Sequence, residues 1–185
     1  MKSLFDTFPV LTTDRLQLRR ITLEDKENVF AYFSDDLVTR YFGIDNFTKM
    51  EEAEAIINAF NNGFEQKQAI RWGIALKETD ELIGSIGFHN ISKNNARVEV
   101  GYEITRKEWN KGYATEALKA VINFLFNDAC FNRIGATIRP ENEASKQLVR
   151  KLGFQEEGTL QDYQFTRGNF HDLMMFSLLK KNYNE

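Results

Sequence analysis

A mixed α/β fold of the α+β kind is what this sequence predicts, with one mixed sheet of about seven strands and about four helices on its faces. Three observations carry that expectation. Three strand-like segments follow one another between residues 70 and 104 with no helix between them, a meander that excludes a doubly wound nucleotide fold. Helical and strand-like segments alternate over the rest of the chain. The 185 residues, 42% hydrophobic and 28% charged, hold no internal repeat, low-complexity tract or linker, so a single domain over 1–185 is expected.

Taken in order, Asp14 to Ile21 alternates apolar and polar, as a half-buried strand does. Thr22, followed by Glu24 and Asp25, signals a helix that ends near Phe33. A loop containing Tyr41 and Phe42 leads to a second helix, capped by Thr48 and running to about Lys67. The meander comprises Ile70–Leu76, Leu82–Ile91 and Ala96–Ile104, with Thr79-Asp80 and Lys93-Asn94-Asn95 at its turns. Ala117, Leu118, Val121, Ile122, Leu125 and Phe126 then form one apolar helical stripe. A strand from Arg133 to Ile138 precedes Pro140 and a helix from Glu143 to Leu152, which Gly153 stops. Two strands, Gln155–Leu160 and Phe170–Leu179, close the chain.

Composition narrows the function. The apolar content excludes disorder, and one cysteine excludes a disulfide scaffold. No apolar run approaches the roughly 18–20 residues that span a bilayer. The opening residues MKSLFDTFPV carry no export signal, so a cytoplasmic location is expected. With 24 Lys and Arg against 27 Asp and Glu, the net charge of −3 offers no general attraction to nucleic acid or to an anionic membrane. No metal is expected. An enzyme or small-ligand binder, as monomer or homodimer, remains.

Val98 to Leu118 is the most informative stretch. Val98, Val100 and Tyr102 share one face of its strand, and Arg97, Glu99, Gly101 and Glu103 the other. The loop Lys107 to Thr115 then runs straight into the apolar-striped helix. Gly112 and Ala114 allow close approach to the backbone, and the unpaired amides of the helix start favour a phosphate or pyrophosphate. A second cluster follows the next strand: Asn142, Ser145, Leu148, Lys151, Gly153 and Phe154.

At these two places the sequence resembles the GNAT superfamily of acyl-CoA-dependent N-acetyltransferases. Trp109-Asn110-Lys111-Gly112-Tyr113-Ala114 aligns with its Q/R-x-x-G-x-G/A signature, and Asn142 through Phe154 with N-x-x-S/A-x-x-L-Y-x-K-x-G-F. The opening FPVLTTDRLQLRRIT and the closing NFHDLMMFSLLK look more narrowly like the Rim-type branch, which includes enzymes that acetylate the N-termini of ribosomal proteins. The resemblance implies a twisted, mostly antiparallel sheet, acetyl-CoA as co-substrate, and direct attack by an amine. It implies cofactor contacts at Val100, Trp109, Asn110, Lys111, Gly112, Tyr113, Ala114, Thr115, Asn142 and Ser145. Two positions depart from the signatures. Trp109 stands for Gln or Arg, and Val149 stands where many members carry a Tyr that protonates the leaving thiolate.

The attacking amine must be neutral. At pH 7 an α-amine of pKa about 7.7–8.0 needs roughly 1 kcal/mol for this, and a lysine at about 10.4 roughly 4.6 kcal/mol. Glu99 is the expected base, directly or through water, with His89 as a second candidate. Ser145 is the candidate acid or thiolate partner. Glu103 is disfavoured because a carboxylate near the phosphate loop would repel the cofactor. Lys111, Lys146 and Arg150 are candidates for CoA phosphates. Cys130 is read as a core residue, and no acyl-cysteine route is expected. The acceptor pocket is expected around Arg40, Tyr41, Phe42 and His89, and around Tyr163, Phe165, Arg167 and Asp172 of the final hairpin. The acceptor itself stays open: a ribosomal or other protein N-terminus, or a polyamine, amino acid or aminoglycoside. A non-catalytic acyl-CoA-binding domain is the rival class.

Overall fold

The computed structural model of the chain describes residues 4–183. One eight-stranded sheet organises them, in the order β1-β2-β3-β4-β5-β6-β8-β7. The strands are β1 (Leu11–Thr12), β2 (Leu16–Arg20), β3 (Ile70–Leu76), β4 (Leu82–Ser92), β5 (Arg97–Ile104), β6 (Arg133–Ile138), β7 (Gln155–Thr166) and β8 (Asn169–Leu179). Every neighbouring pair is antiparallel except β5 and β6. The expected meander is present as β3–β4–β5.

Five α-helices cover the sheet: α1 (Lys26–Phe33), α2 (Asp36–Thr39), α3 (Met50–Glu65), α4 (Tyr113–Asn123) and α5 (Glu143–Lys151). On one face α1 and α3 bury Val29, Tyr32, Phe33, Ala53 and Ile57 against Ile21 and Leu82. On the other, α4 and α5 close over a larger core built on Trp72, Ile86, Phe88, Leu118, Ile122, Phe154 and Phe176. The sheet is thus covered on both sides, which is why every residue of β4 from Leu82 through Phe88 is buried, Ser85 included.

Several local expectations are corrected. The strand β1 and the one-turn helix α2, inside the expected loop, escape a periodicity search because each is shorter than a full repeat. Helix α3 begins at Met50 after Lys49 rather than on a Thr48 cap. Glu52 reaches back instead, accepting from the Thr48 and Lys49 backbone N–H groups at 2.7 and 2.8 Å. The apolar stripe that follows α4 continues as a π-turn over Phe124–Asp128. Strand β7 runs six residues past Leu160 because register shifts at Glu156/Gly158 and Leu160/Gln164 break its alternation. Cys130 is exposed, at a backbone φ of 58°, and is not part of the core. Gly153 does stop α5, at φ 90° with its N–H on the Arg150 carbonyl.

Candidate active site

The parallel pair β5/β6 is joined over three positions only, Arg97/Arg133, Val98/Ile134 and Glu99/Gly135. Beyond Glu99 the two strands part. Val100 to Ile104 on one side and Ala136 to Ile138 on the other line a cavity of about 1110 Å³. A strand that loses its neighbour presents backbone donors and acceptors to whatever fills the gap.

At one end of this cavity lies the start of α4. Trp109, Asn110, Gly112, Tyr113, Ala114 and Thr115 line it, while Lys111 does not. Gly112, the N-cap, holds φ 83° and Asn110 holds φ 62°, so the loop curls through the left-handed region before the helix begins. The Trp109 indole N–H donates to the Ile104 carbonyl at 2.7 Å and fixes the loop to the end of β5. Sequence reading overlooked the device that aims this helix. Glu116, in its first turn, accepts from the Thr13 hydroxyl at 2.6 Å and from Arg15 Nε at 2.7 Å. Arg15 also donates to the Lys111 carbonyl at 3.0 Å and lies over the Tyr113 ring. Burial pulls the Glu116 carboxyl upward, but its bonds to Thr13 and Arg15 hold it below the ordinary range. The partners are about a hundred residues apart, and nothing local marks them.

The first turn of α5 forms another wall. Asn142 caps the helix, its side chain accepting from the Ser145 N–H at 3.2 Å, and both residues line the cavity. Val149 is fully buried among core residues and outside the cavity wall. Of the expected phosphate-binding cations, Lys111 is paired with Glu108 at 2.9 Å and Arg150 with Glu156 at 2.7 Å. Lys146 is buried against Glu143 and the Pro140 carbonyl. Each has a local partner that the sequence pattern does not reveal.

The opposite end is built on the polar face of β4 and β5. Glu99 stands opposite His89 in the register, and Glu103 opposite Ser85. Both carboxylates are buried on the face that alternation alone assigns to solvent: Phe60 of α3 packs on Arg71 beside Glu103, and Glu99 lies over Gly135 beside Asn90. Glu99 accepts from the Asn90 side chain at 3.2 Å and is not among the cavity walls; His89 is. Burial lowers the His89 pKa below 6.5, Glu99 opposes that shift, and Arg71 adds to it. Glu103 lines the cavity, held by Arg71 and the Ser85 hydroxyl. Burial raises its carboxyl, against the pull of the Arg71 guanidinium. Arg71 itself donates to the Gly101 carbonyl at 3.0 Å and sits between the Phe42 and Phe60 rings. This buried pair, absent from the expected site, neutralises the charge that made Glu103 look unsuitable.

Arg40, Tyr41 and Phe42 line the cavity as expected. Tyr163 and Phe165 do not: both are exposed on the β7–β8 hairpin, Phe165 with its ring tilted against Phe170, and Gln164 between them is the residue that lines the cavity. Asp172 accepts from the Asp162 N–H and braces the hairpin. Arg167, at its turn, reaches Asp36 and Asn46 at 2.7 Å; like Asp172 it lies outside the cavity wall, and it ties the hairpin to the segment around α2. Among the described residues no group of three His, Cys, Asp or Glu is placed to hold a metal, and no helix is long and apolar enough to cross a membrane.

Comparison with known proteins bears on the whole arrangement. The chain is 44% identical to YoaA of Bacillus subtilis, an uncharacterized N-acetyltransferase, over 94% of this chain and 98% of that one. It is 28% identical to the [ribosomal protein uS5]-alanine N-acetyltransferase of Escherichia coli, over 91% and 89%. Mycobacterium smegmatis RimJ in complex with CoA-disulfide shares the fold at a TM-score of 0.87, with 19% identity over 96% and 90% of the two chains. The acetyltransferase (GNAT) domain matches residues 15–155, from the Arg15 clamp through the parted strands and α5. A sheet split at β5/β6 with a glycine-capped helix at the gap therefore has its family: the chain belongs to the GNAT acetyltransferases.

Proposed function

We propose that this protein transfers the acetyl group of acetyl-CoA to a primary amine, with a protein N-terminal α-amine as the acceptor class. The observation that carries the reading is the gap between β5 and β6, which opens directly onto the first turn of α4. The residues fit acetyl-CoA. Amides of Asn110 to Thr115 suit a pyrophosphate at a helix N-terminus. The free edge of β5 from Val100, with Asn142, suits the amides of a pantetheine arm. Buried polar atoms of Tyr102 and Gln164 facing the cavity lack hydrogen-bond partners among the described residues. Acetyl-CoA supplies an activated acyl group.

His89 accepts the amine proton, and Glu99 behind it steadies the imidazolium that forms. This replaces Glu99 as the direct base, since its carboxylate lies behind the cavity wall. Ser145 faces the leaving group. An α-amine suits this site because a histidine held below pH 6.5 is a weak base, adequate for a group of pKa about 7.7–8.0 and poor for a lysine. The uS5-alanine acetyltransferase among the relatives supports the same class.

An acceptor panel tests the reading. Peptides with free Ser, Ala or Met N-termini are set beside spermidine, lysine and an aminoglycoside, with release of CoA thiol as the readout. Thiol release with peptides is expected. Preference for a small amine would overturn the acceptor class, and failure to bind millimolar acetyl-CoA would overturn the whole assignment.

A further inference from the structure

Among the hydroxyls of residues that line the cavity, one is buried and left without a hydrogen-bond partner. Tyr102 stands on β5 within the parted segment, and its hydroxyl is buried without a hydrogen-bond partner among the described residues. An orphaned buried hydroxyl costs about 1–3 kcal/mol, and such groups in native proteins are usually satisfied by something that binds. The Tyr32 hydroxyl is also orphaned but lies away from the cavity walls. Arg139 Nε has Glu141 at 3.6 Å, and the orphaned atom of Gln164 is an acceptor. Tyr102 alone among these offers a neutral proton to an incoming negative charge.

Its neighbour gives that charge a place. Ser145, on the first turn of α5, lines the same wall, and one helical turn later Val149 has no polar atom to contribute. Resting on the acetyltransferase reading, we propose that Tyr102 is the hydrogen-bond donor that receives the departing thiolate, together with Ser145. The amine nitrogen bonds to the acetyl carbon as the carbon–sulfur bond breaks. The surplus proton on nitrogen passes to His89. The sulfur keeps the bonding pair, is held by the two O–H groups, and takes its proton from solvent on release. No proton leaves Tyr102. Burial pushes its pKa up to about 12, although Ser145 pulls against the shift, so it stays a donor at physiological pH.

Free CoA is the probe, because its thiol can be titrated on the protein by thiolate absorbance with no acceptor present. On the wild-type protein the thiol pKa should fall below the value that free CoA shows in the same buffer. Tyr102→Phe should raise it by about one unit, about tenfold less thiolate at a fixed pH below both values. CoA affinity should change by less than about threefold, since a uniform binding role would have been lost instead. An unchanged thiol pKa in Tyr102→Phe would overturn the proposal. Failure of the wild type to bind CoA would instead overturn the acetyltransferase reading.

Discussion

His89 and Glu99 show how far one residue's surroundings can be read from its neighbours in sequence. Alternation along β5 assigns Glu99 to the face opposite Val98 and Val100, and it is there. Alternation is silent on what covers that face, and both Glu99 and Glu103 are buried there. The same burial sets the chemistry of His89. Its pKa lies below 6.5 because the charged form is desolvated and faces Arg71, with the Glu99 carboxylate opposing. The folded value is depressed, so this residue's share of stability is present above pH 6.5 and is lost as pH falls through the folded pKa. The chain has two histidines, which makes an NMR titration unambiguous. One should titrate below 6.5, and Glu99→Gln should move it further down while slowing turnover. Were Glu99 the direct base, that substitution would abolish the acid limb of activity, whereas with His89 as base the limb persists and moves down with the histidine.

Elements were more legible than their ends. The apolar stripe of α4, the Gly153 stop of α5 and the meander all follow from periodicity and turn chemistry. Strand β7 was cut short in the sequence because its bulges put residues of one kind on alternating faces. The orientation of α4 is invisible locally, since it depends on Glu116 meeting Thr13 and Arg15 across the fold. That clamp fixes where the amides of the first turn point. Glu116→Gln should keep the helix but loosen its aim, raising KM for acetyl-CoA several-fold with kcat changed less. Initial-rate kinetics with acetyl-CoA as the varied substrate measure this, and an unchanged KM would show that the clamp serves stability alone.

At the scale of the whole molecule, the site is assembled from segments that the sequence separates widely. The motifs around Gly112 and Asn142 announce the cofactor end because their chemistry is local. The opposite end of the cavity, where the acceptor is proposed to enter, is not announced: Arg71 and Glu103 pair in its wall, and Arg167 ties the β7–β8 hairpin, which carries Gln164 into it, to Asp36 and Asn46 near α2. Tyr163 and Phe165, chosen because aromatics suit a pocket, stand outside, and Gln164 lines the cavity. That tie is polar and exposed, so salt weakens it. Arg167→Ala should raise acceptor KM by about two- to tenfold and reduce its dependence on ionic strength, with acetyl-CoA affinity unchanged. Steady-state kinetics at low and high salt check both halves of that expectation.

Three residue pairs are all that join β5 to β6, so the sheet is close to being two sheets. A ligand seated in the gap supplies the missing rungs and becomes part of the scaffold. Bound at a hundredfold above its dissociation constant, it adds about 2.7 kcal/mol to the free energy of unfolding. The charged and starved states of the cofactor pool therefore correspond to two proteins of different durability. A cell short of acetyl donor would hold this enzyme in its more fragile form, and its lifetime against proteases would follow the supply of the molecule it consumes.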